Sequence, residues 1–198
     1  MNIIDNLYKT FKKPEPQYPI PEPQASVLAL VNNCINGYNW AHKPNIKYIV
    51  MHHSLTDDGK AVEWDAIKKY HMGLISGSPY HMTDIGYNYG VELIGNDVRV
   101  RIGRPMTELG AHCLGLNSKS IGICVVGDYD KAMPDLMHWL TTLYLVRKIR
   151  EHVGMPIQNV IGHVESFKLL GTKPYKTCPG LKWNMDQFRK DLTNVRFE

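Results

Sequence analysis

Hydrophobic and polar positions change period several times along the chain after residue 46. Residues 47–54, KYIVMHHS, form a short apolar run rich in β-branched side chains, which is typical of a buried strand. Residues 61–73 then place apolar side chains at helical spacing and end in a glycine. Further short apolar segments predict strands at 86–93, 97–103, 120–127 and 159–163.

The longest helical pattern covers residues 134–154, where Pro134 suits the first turn and Gly154 suits the end. A shorter pattern at 184–192 predicts a terminal helix. Strands that alternate with helices indicate an α/β domain built on a single mixed β-sheet flanked by helices.

The first 45 residues follow a different pattern, so we expect an N-terminal arm (1–45) ahead of the folded domain (46–198). Apolar residues recur at helical spacing up to Phe11, and lysines make this stretch basic. Residues 13–24, KPEPQYPIPEPQ, favour an extended linker because proline fits neither a helix interior nor a central strand. We expect a loosely packed arm, and one hypothesis is that it contacts an anionic envelope surface.

Composition limits the partners and the location of the protein. The chain has 198 residues, of which 43% are hydrophobic and 21% charged, and no apolar run is long enough for a transmembrane segment. The first residues do not have the order of a signal peptide, so we expect a cytoplasmic protein unless another factor releases it. The net charge of +4 suits a polyanion, but no basic-aromatic run supports nucleic acid. We expect a monomer without a nucleic-acid partner.

Three of the nine histidines lie at the ends of predicted buried strands: His52, His112 and His163. Cys178 lies in the sequence KTCPG, where the proline and glycine that follow predict a turn that holds the thiol in place. Imidazole nitrogen and thiolate sulfur are preferred zinc ligands, and three protein ligands leave a position open for water. The histidines with ordinary structural roles are expected to be His42, His71, His138 and His152.

Five segments in this order resemble the zinc amidase family, which contains the amidase-type lysozymes of tailed bacteriophages and the animal peptidoglycan recognition proteins. The resemblance covers about residues 46–195 and makes that region a catalytic domain. The segments are YIVMHHSLT (48–56), DIGYNYGVE (84–92), GAHCLGLNSKSIGICVVGDYD (110–130), VIGHVES (160–166) and YKTCPG (175–180).

The resemblance implies that His52, His163 and Cys178 bind Zn²⁺, with water as the fourth ligand. His53 is a weaker candidate, because neighbouring residues of a strand point to opposite faces. The segment between His163 and Lys176, residues 164–175, is longer than in compact members of the family.

The same resemblance implies a catalytic role for Tyr87, next to the attacking water, and for Lys176, next to the developing negative charge. It implies that His112 and Asn117 contact the substrate. The expected reaction is hydrolysis of the peptidoglycan amide bond between N-acetylmuramic acid and L-alanine. The expected context is a phage endolysin, which waits in the host cytoplasm and reaches the cell wall by holin-type release.

Two other functions fit part of this pattern. Cys178 could act as the nucleophile of a peptidoglycan peptidase with His163 as its base, an enzyme that a chelator would leave active. The domain could also bind muropeptides without cutting them, although such relatives typically lose a zinc ligand.

Overall fold

A computed structural model describes residues 25–36, 45–56, 63–106 and 108–194. Within these residues the strands are β1 (Tyr48–His53), β2 (Tyr89–Ile94), β3 (Asp97–Ile102), β4 (Ser120–Val125) and β5 (Val160–Gly162). They form one sheet in the order β3-β2-β4-β1-β5. Only β2 and β3 pair antiparallel, and the other neighbours are parallel. The prediction of a single mixed sheet is confirmed.

Five helices of the described region accompany this sheet. They are α1 (Ala25–Asn36), α2 (Glu63–His71), α3 (Leu136–Val153), α4 (His163–Leu169) and α5 (Met185–Asn194). Helices α2, α3 and α5 confirm predictions from the sequence, whereas α1 and α4 were not predicted. None of the described helices combines the length and hydrophobicity that crossing a bilayer requires.

The ends of α3 follow ordinary capping chemistry, with one difference from the prediction. Asp135 is the N-cap, and its carboxylate accepts a hydrogen bond from the Met137 N–H at 2.7 Å. Pro134 therefore lies before the cap and not in the first turn, because the aspartate supplies the acceptor that the first amide groups need. At the other end, Gly154 adopts a left-handed conformation (φ 64°), as expected for a glycine that closes a helix.

One face of the sheet packs in the main hydrophobic core, and the other carries the candidate site. Side chains such as Ile49 and Met51 of β1 and Ile123 of β4 lie in the main hydrophobic core together with buried residues of α1, α3 and α5. Alternation along a strand places His52 on the opposite face from Met51. That opposite face carries the side chains described below.

Helix α1 belongs to the main core. Val27, Val31 and Ile35, spaced by one helical turn, are buried in the cluster that also contains α3 residues. The segment 1–24, with its basic and proline-rich stretches, lies outside the described residues. The division into an arm and a domain at residue 45 stays a prediction, although α1 packs with the residues that follow it.

Candidate metal centre

Two adjacent parallel strands bring His52 and His163 together. Strand β1 carries His52 near its carboxyl end, and β5 pairs with β1 so that Met51 lies opposite Gly162. His163 comes directly after β5 as the first residue of α4. The two imidazole rings are buried and their centroids lie 4.7 Å apart. The carboxyl ends of two adjacent parallel strands therefore place both histidines at one edge of the sheet.

Cys178 reaches the histidines from a loop between α4 and α5. Its Sγ lies 3.5 Å from His52 Nδ1 and accepts a hydrogen bond from the backbone N–H of His53 at 3.4 Å. Its carbonyl oxygen accepts from the Val164 N–H at 2.8 Å, which ties the loop to the start of α4. The loop is thus attached both to β1 and to the helix that begins with His163.

A carboxylate fixes this loop on either side of Cys178. Asp130 accepts a hydrogen bond from the Thr177 hydroxyl at 2.7 Å and from the Leu181 N–H at 2.9 Å. Hydrogen bonds to a charged acceptor are stronger than neutral ones. Asp130, which follows the end of β4, therefore holds the loop that presents the sulfur.

The three side chains have the spacing and chemistry of a zinc site. The candidate ligand atoms of His52, His163 and Cys178 all lie within 4.8 Å of one another, and all three residues are buried. Tetrahedral zinc with Zn–N and Zn–S bonds of roughly 2.0–2.3 Å separates its ligand atoms by about 3.3–3.6 Å. The 3.5 Å between Sγ and Nδ1 matches this separation. The cluster can hold a metal ion.

Burial controls the protonation of these ligands. It lowers the pKa of His163 to about 4, with a further contribution from the Lys176 charge. Burial, followed by the neighbouring His163 and His112, lowers the pKa of His52 well below its usual value. Burial also raises the pKa of Cys178 to about 12. At neutral pH the imidazoles therefore have free lone pairs, whereas the thiol must release a proton before it binds a metal.

Tyr87 lies beside the cluster. Its ring is 5.1 Å from that of His52, between centroids, and it packs in a small cluster with Trp64 and Cys124. Burial, nearby cysteines and a hydrogen bond with the Cys124 thiol raise the pKa of Tyr87 well above its usual value. The phenol is therefore protonated at neutral pH and can donate a hydrogen bond.

Lys176 lies on the exposed side of the cluster. Its Nζ is 5.6 Å from the centroid of the Tyr175 ring, and its charge lowers the pKa of His163 and opposes the rise in that of Cys178. It lines the same cleft as the three candidate ligands. A cation at this position can stabilise negative charge that develops near the metal centre.

Of the two predicted substrate contacts, His112 lines the cleft and Asn117 does not, among the residues that the structure describes. His112 is buried behind His52, with its Nδ1 3.1 Å from His52 Nε2, and it also lines the cleft. Asn117 is not among the described residues that line the cleft. Its side-chain oxygen accepts hydrogen bonds from the N–H groups of His112 and Cys113 at 2.9 and 2.7 Å. Contact of either residue with a substrate stays a prediction.

His53 points away from the cluster, as expected for the neighbour of His52. Its Nδ1 accepts a hydrogen bond from the Tyr129 N–H at 3.2 Å, and its ring stacks on that of Tyr129. All four cysteines are free. Cys113 lies near Ser166 Oγ at 3.4 Å and does not join the metal cluster.

A cleft of about 660 Å³ opens above the cluster. Besides Tyr87, His112 and Lys176, its walls contain side chains that the sequence did not identify. One of them is His71, for which an ordinary structural role was expected; its Nδ1 accepts from the Gly86 N–H at 3.0 Å. The only signal in the sequence is the position of His71 near the end of a predicted helix, directly after Tyr70. The exposed hydrophobic residues along the cleft are Leu55, Tyr70, Ile75, Tyr80 and Tyr175.

Known proteins share this sequence pattern and fold. Peptidoglycan-recognition protein 2 of Holotrichia diomphalia is 34% identical over 94 residues, which cover 45% of this chain and 46% of that protein. The human N-acetylmuramoyl-L-alanine amidase is 43% identical over 51 residues, or 26% of this chain and 8% of that protein. The first of these matches spans about half the length of the relative.

Solved structures agree on the fold. The N-acetylmuramoyl-L-alanine amidase LysC from Clostridium intestinale has a TM-score of 0.61 at 20% identity, covering 80% of this chain and 95% of its own. Wild-type PGRP-LB of Drosophila has a TM-score of 0.55 at 22% identity, covering 70% of this chain and 76% of its own. The family model described as N-acetylmuramoyl-L-alanine amidase matches residues 42–181, and this chain belongs to that family.

Proposed function

We propose that this protein is a zinc-dependent N-acetylmuramoyl-L-alanine amidase that hydrolyses peptidoglycan. The observation that carries the proposal is the buried cluster of His52, His163 and Cys178, whose ligand atoms lie within 4.8 Å of one another. This donor set is suited to zinc with an open fourth position. Membership of the amidase family and the presence of Tyr87 and Lys176 beside the cluster support the assignment of the reaction.

The metal and the residues around the cluster would have separate roles in amide hydrolysis. When bound, zinc supplies Lewis-acid polarisation of the carbonyl and a water that ionises near neutral pH. Lys176 supplies positive charge for the oxygen of the attacked carbonyl as it becomes negative. The protonated phenol of Tyr87 can orient the attacking water or give a proton to the departing L-alanine amine. The exposed hydrophobic side chains along the cleft offer a surface for the glycan and the stem peptide.

Two properties of Cys178 argue against a cysteine peptidase. A nucleophilic cysteine needs a lowered pKa, whereas burial raises the pKa of this thiol to about 12. The sulfur also lies among two histidines and not one, because the ligand atoms of His52, His163 and Cys178 all lie within 4.8 Å of one another. This arrangement fits a shared metal ion better than an attack on a substrate carbonyl.

A muropeptide-binding module without catalysis is the second candidate. Several relatives are named peptidoglycan-recognition proteins, and some solved structures of such proteins contain tracheal cytotoxin. The complete ligand set and the side chains of Tyr87 and Lys176 favour catalysis.

The biological setting that we propose is cell lysis by a phage endolysin. The similarity to LysC and to the endolysin LysCS of Clostridium intestinale supports this setting. Peptidoglycan is the proposed partner, the protein acts as a monomer, and it waits in the host cytoplasm until a holin gives it access to the wall. Binding of the basic N-terminal arm to an anionic envelope surface is part of the same proposal.

Digestion of purified peptidoglycan tests the reaction. We expect new free amino groups without new reducing ends, loss of activity in a chelator, and recovery on addition of Zn²⁺. Activity that persists in the chelator would favour the cysteine peptidase. A zinc-loaded protein that binds the wall but releases no product would favour the binding module.

A further inference from the structure

His112 forms a direct contact with a candidate metal ligand from the side away from the metal. Its Nδ1 lies 3.1 Å from His52 Nε2, and the two rings stand edge to face at 85° with centroids 5.1 Å apart. Both residues are buried, with exposed fractions of 9% for His112 and 2% for His52. A polar contact between two buried rings contributes more than one in water, because neither nitrogen can exchange it for a strong bond to solvent.

The geometry gives this contact one direction of hydrogen bonding when a metal is bound. The Nδ1 atom of His52 faces Cys178 Sγ at 3.5 Å, so Nδ1 is the nitrogen that can ligate a metal shared with the thiolate. A neutral histidine that ligates through Nδ1 carries its proton on Nε2. The Nε2–H of His52 must then donate to His112 Nδ1.

The chain of hydrogen bonds continues beyond His112. Because His112 accepts at Nδ1, its proton lies on Nε2, which is 3.5 Å from Ser120 Oγ. The Ser120 hydroxyl in turn donates to the carbonyl oxygen of Leu116 at 2.8 Å. Donors and acceptors therefore follow one order from the metal site through His52, His112 and Ser120 to the backbone.

Asn117 and two glycines fix the position of the His112 ring. Its backbone N–H is bound by Asn117, as described above, and its ring lies directly on the backbone of Gly122 in β4. A Cβ atom at Gly122 would lie 2.5 Å from the His112 ring, and one at Gly110 would lie 2.9 Å from it. Two glycines thus leave the space that the ring occupies, and no larger residue fits at either position without displacing it.

We propose that His112 is a positioning residue that accepts the Nε2–H of His52 and thereby fixes the His52 ring with Nδ1 directed at the metal. The proposal rests on the zinc site of the proposed function. It differs from the expectation that His112 is chiefly a substrate contact, because both ring nitrogens face partners within the protein. Asn117 acts through His112 in the same way.

Loss of the hydrogen bond from His52 to His112 should weaken zinc binding. Hydrogen-bond partners of ligating histidines orient the ring and raise its basicity, and their loss typically costs 10- to 100-fold in metal affinity. His112→Phe keeps a ring on Gly122 and removes both nitrogens. We expect it to weaken zinc binding by about 10- to 100-fold, measured by competition with a chromophoric chelator, and to change the absorption spectrum of the Co²⁺-substituted protein.

Three further variants give the experiment its controls. His112→Asn places an acceptor near the position of Nδ1 and is expected to recover part of the affinity. Ser120→Ala removes the next hydrogen-bond partner and is expected to cost only a few-fold. His71→Phe makes the same change in the same cleft at a histidine outside the ligand cluster, and zinc affinity should not change. Circular dichroism checks the folding of each variant, and if His112→Phe does not fold, His112→Asn and Ser120→Ala decide.

The outcomes separate this inference from the proposed function. Wild-type zinc affinity and an unchanged Co²⁺ spectrum in folded His112→Phe, together with a raised KM, would make His112 a substrate contact and overturn the positioning role, while the zinc amidase would stand. If Ser120→Ala and His112→Asn also bind zinc as the wild type does, the proposal fails without the Phe variant. A wild-type protein that does not bind zinc would overturn both.

Discussion

The floor and the rim of the cleft are built in opposite ways. The floor, which we define as His52, His112, His163 and Cys178, is buried, and each of its side chains contacts another floor residue or the hydrogen-bonded strands below. The rim, defined as Tyr70, Ile75, Tyr80, Tyr175 and Lys176, is exposed and made mostly of large hydrophobic side chains.

The buried floor suits metal binding, and the exposed rim suits contact with a polymer. A metal centre needs fixed distances, which rigid strands and buried hydrogen bonds supply. A rim that binds a polymer can use exposed aromatic surface, since each contact adds binding energy without having to hold a reacting atom. Substitutions in the floor should therefore remove metal and turnover, whereas substitutions in the rim should change turnover or KM and leave the metal in place.

The largest effect is expected from Cys178→Ala. Removing the sulfur leaves two protein ligands, and we expect zinc affinity and hydrolysis each to fall by more than about 10³-fold. Metal content after dialysis and release of amino groups from peptidoglycan measure the two effects. Cys113→Ala, which removes a buried thiol next to Ser166, should retain zinc. Zinc retention and activity in Cys178→Ala would contradict the assignment of the third ligand.

The next largest effect is expected from Lys176→Met in the rim. Removing the cation should lower kcat by about 10²- to 10³-fold, the usual cost of losing one group that stabilises a developing oxyanion. Zinc content should remain that of the wild type, because Lys176 is not one of the candidate ligands. Lys173→Met, at an exposed lysine that does not line the cleft, is the matched control. A raised KM at constant kcat would assign Lys176 to substrate binding instead.

A smaller effect is expected from pH, because the Cys178 thiol must lose its proton before it binds zinc. At neutral pH His163, with a pKa of about 4, is already deprotonated, whereas Cys178, with a pKa of about 12, is not. Zinc must therefore displace one thiol proton, and apparent affinity should rise about tenfold per pH unit between roughly pH 6 and 8. Calorimetry in buffers of different ionisation enthalpy should find one proton released per zinc. An affinity independent of pH would mean that the thiol is ionised before zinc binds.

The smallest effect is expected from Tyr80→Ala in the rim. The Tyr80 ring stands edge to face with that of Tyr70 at 5.6 Å and remains partly exposed to the cleft. Its loss should raise KM by about 3- to 10-fold, the range for one aromatic contact, and leave kcat and zinc content unchanged. Steady-state kinetics on soluble muropeptides measure both constants. A large fall in kcat would show that the rim also positions the reacting bond.

Much of the fold could be predicted from the sequence because local periodicity reports it directly. The run around His52 and the segment 134–154 have clear strand and helix periods, and both form as predicted. Helix α1 was missed although Val27, Val31 and Ile35 carry a helical repeat, since the proline-rich stretch before it suggested an open linker. Which elements pack on the sheet depends on tertiary contacts that periodicity does not contain.

Part of the candidate site could likewise be predicted from the sequence, and part could not. Strand ends and a Cys-Pro-Gly turn marked His52, His112, His163 and Cys178 as candidates, because these features position side chains locally. The resemblance to the zinc amidase family then selected His52, His163 and Cys178 as the ligands. The contact between His52 and His112 joins residues 60 positions apart, and its partner nitrogens depend on side-chain orientation that no spacing reveals. His71 enters the cleft only because the fold brings the end of α2 to the Gly86 backbone.

The decisive measurement for amidase activity is mass spectrometry of a defined disaccharide-pentapeptide after incubation with the zinc-loaded protein. We expect two products, a disaccharide that ends in the free lactyl carboxylate and a pentapeptide with an N-terminal L-alanine. Recovery of the intact muropeptide, or cleavage within the peptide, would contradict that activity.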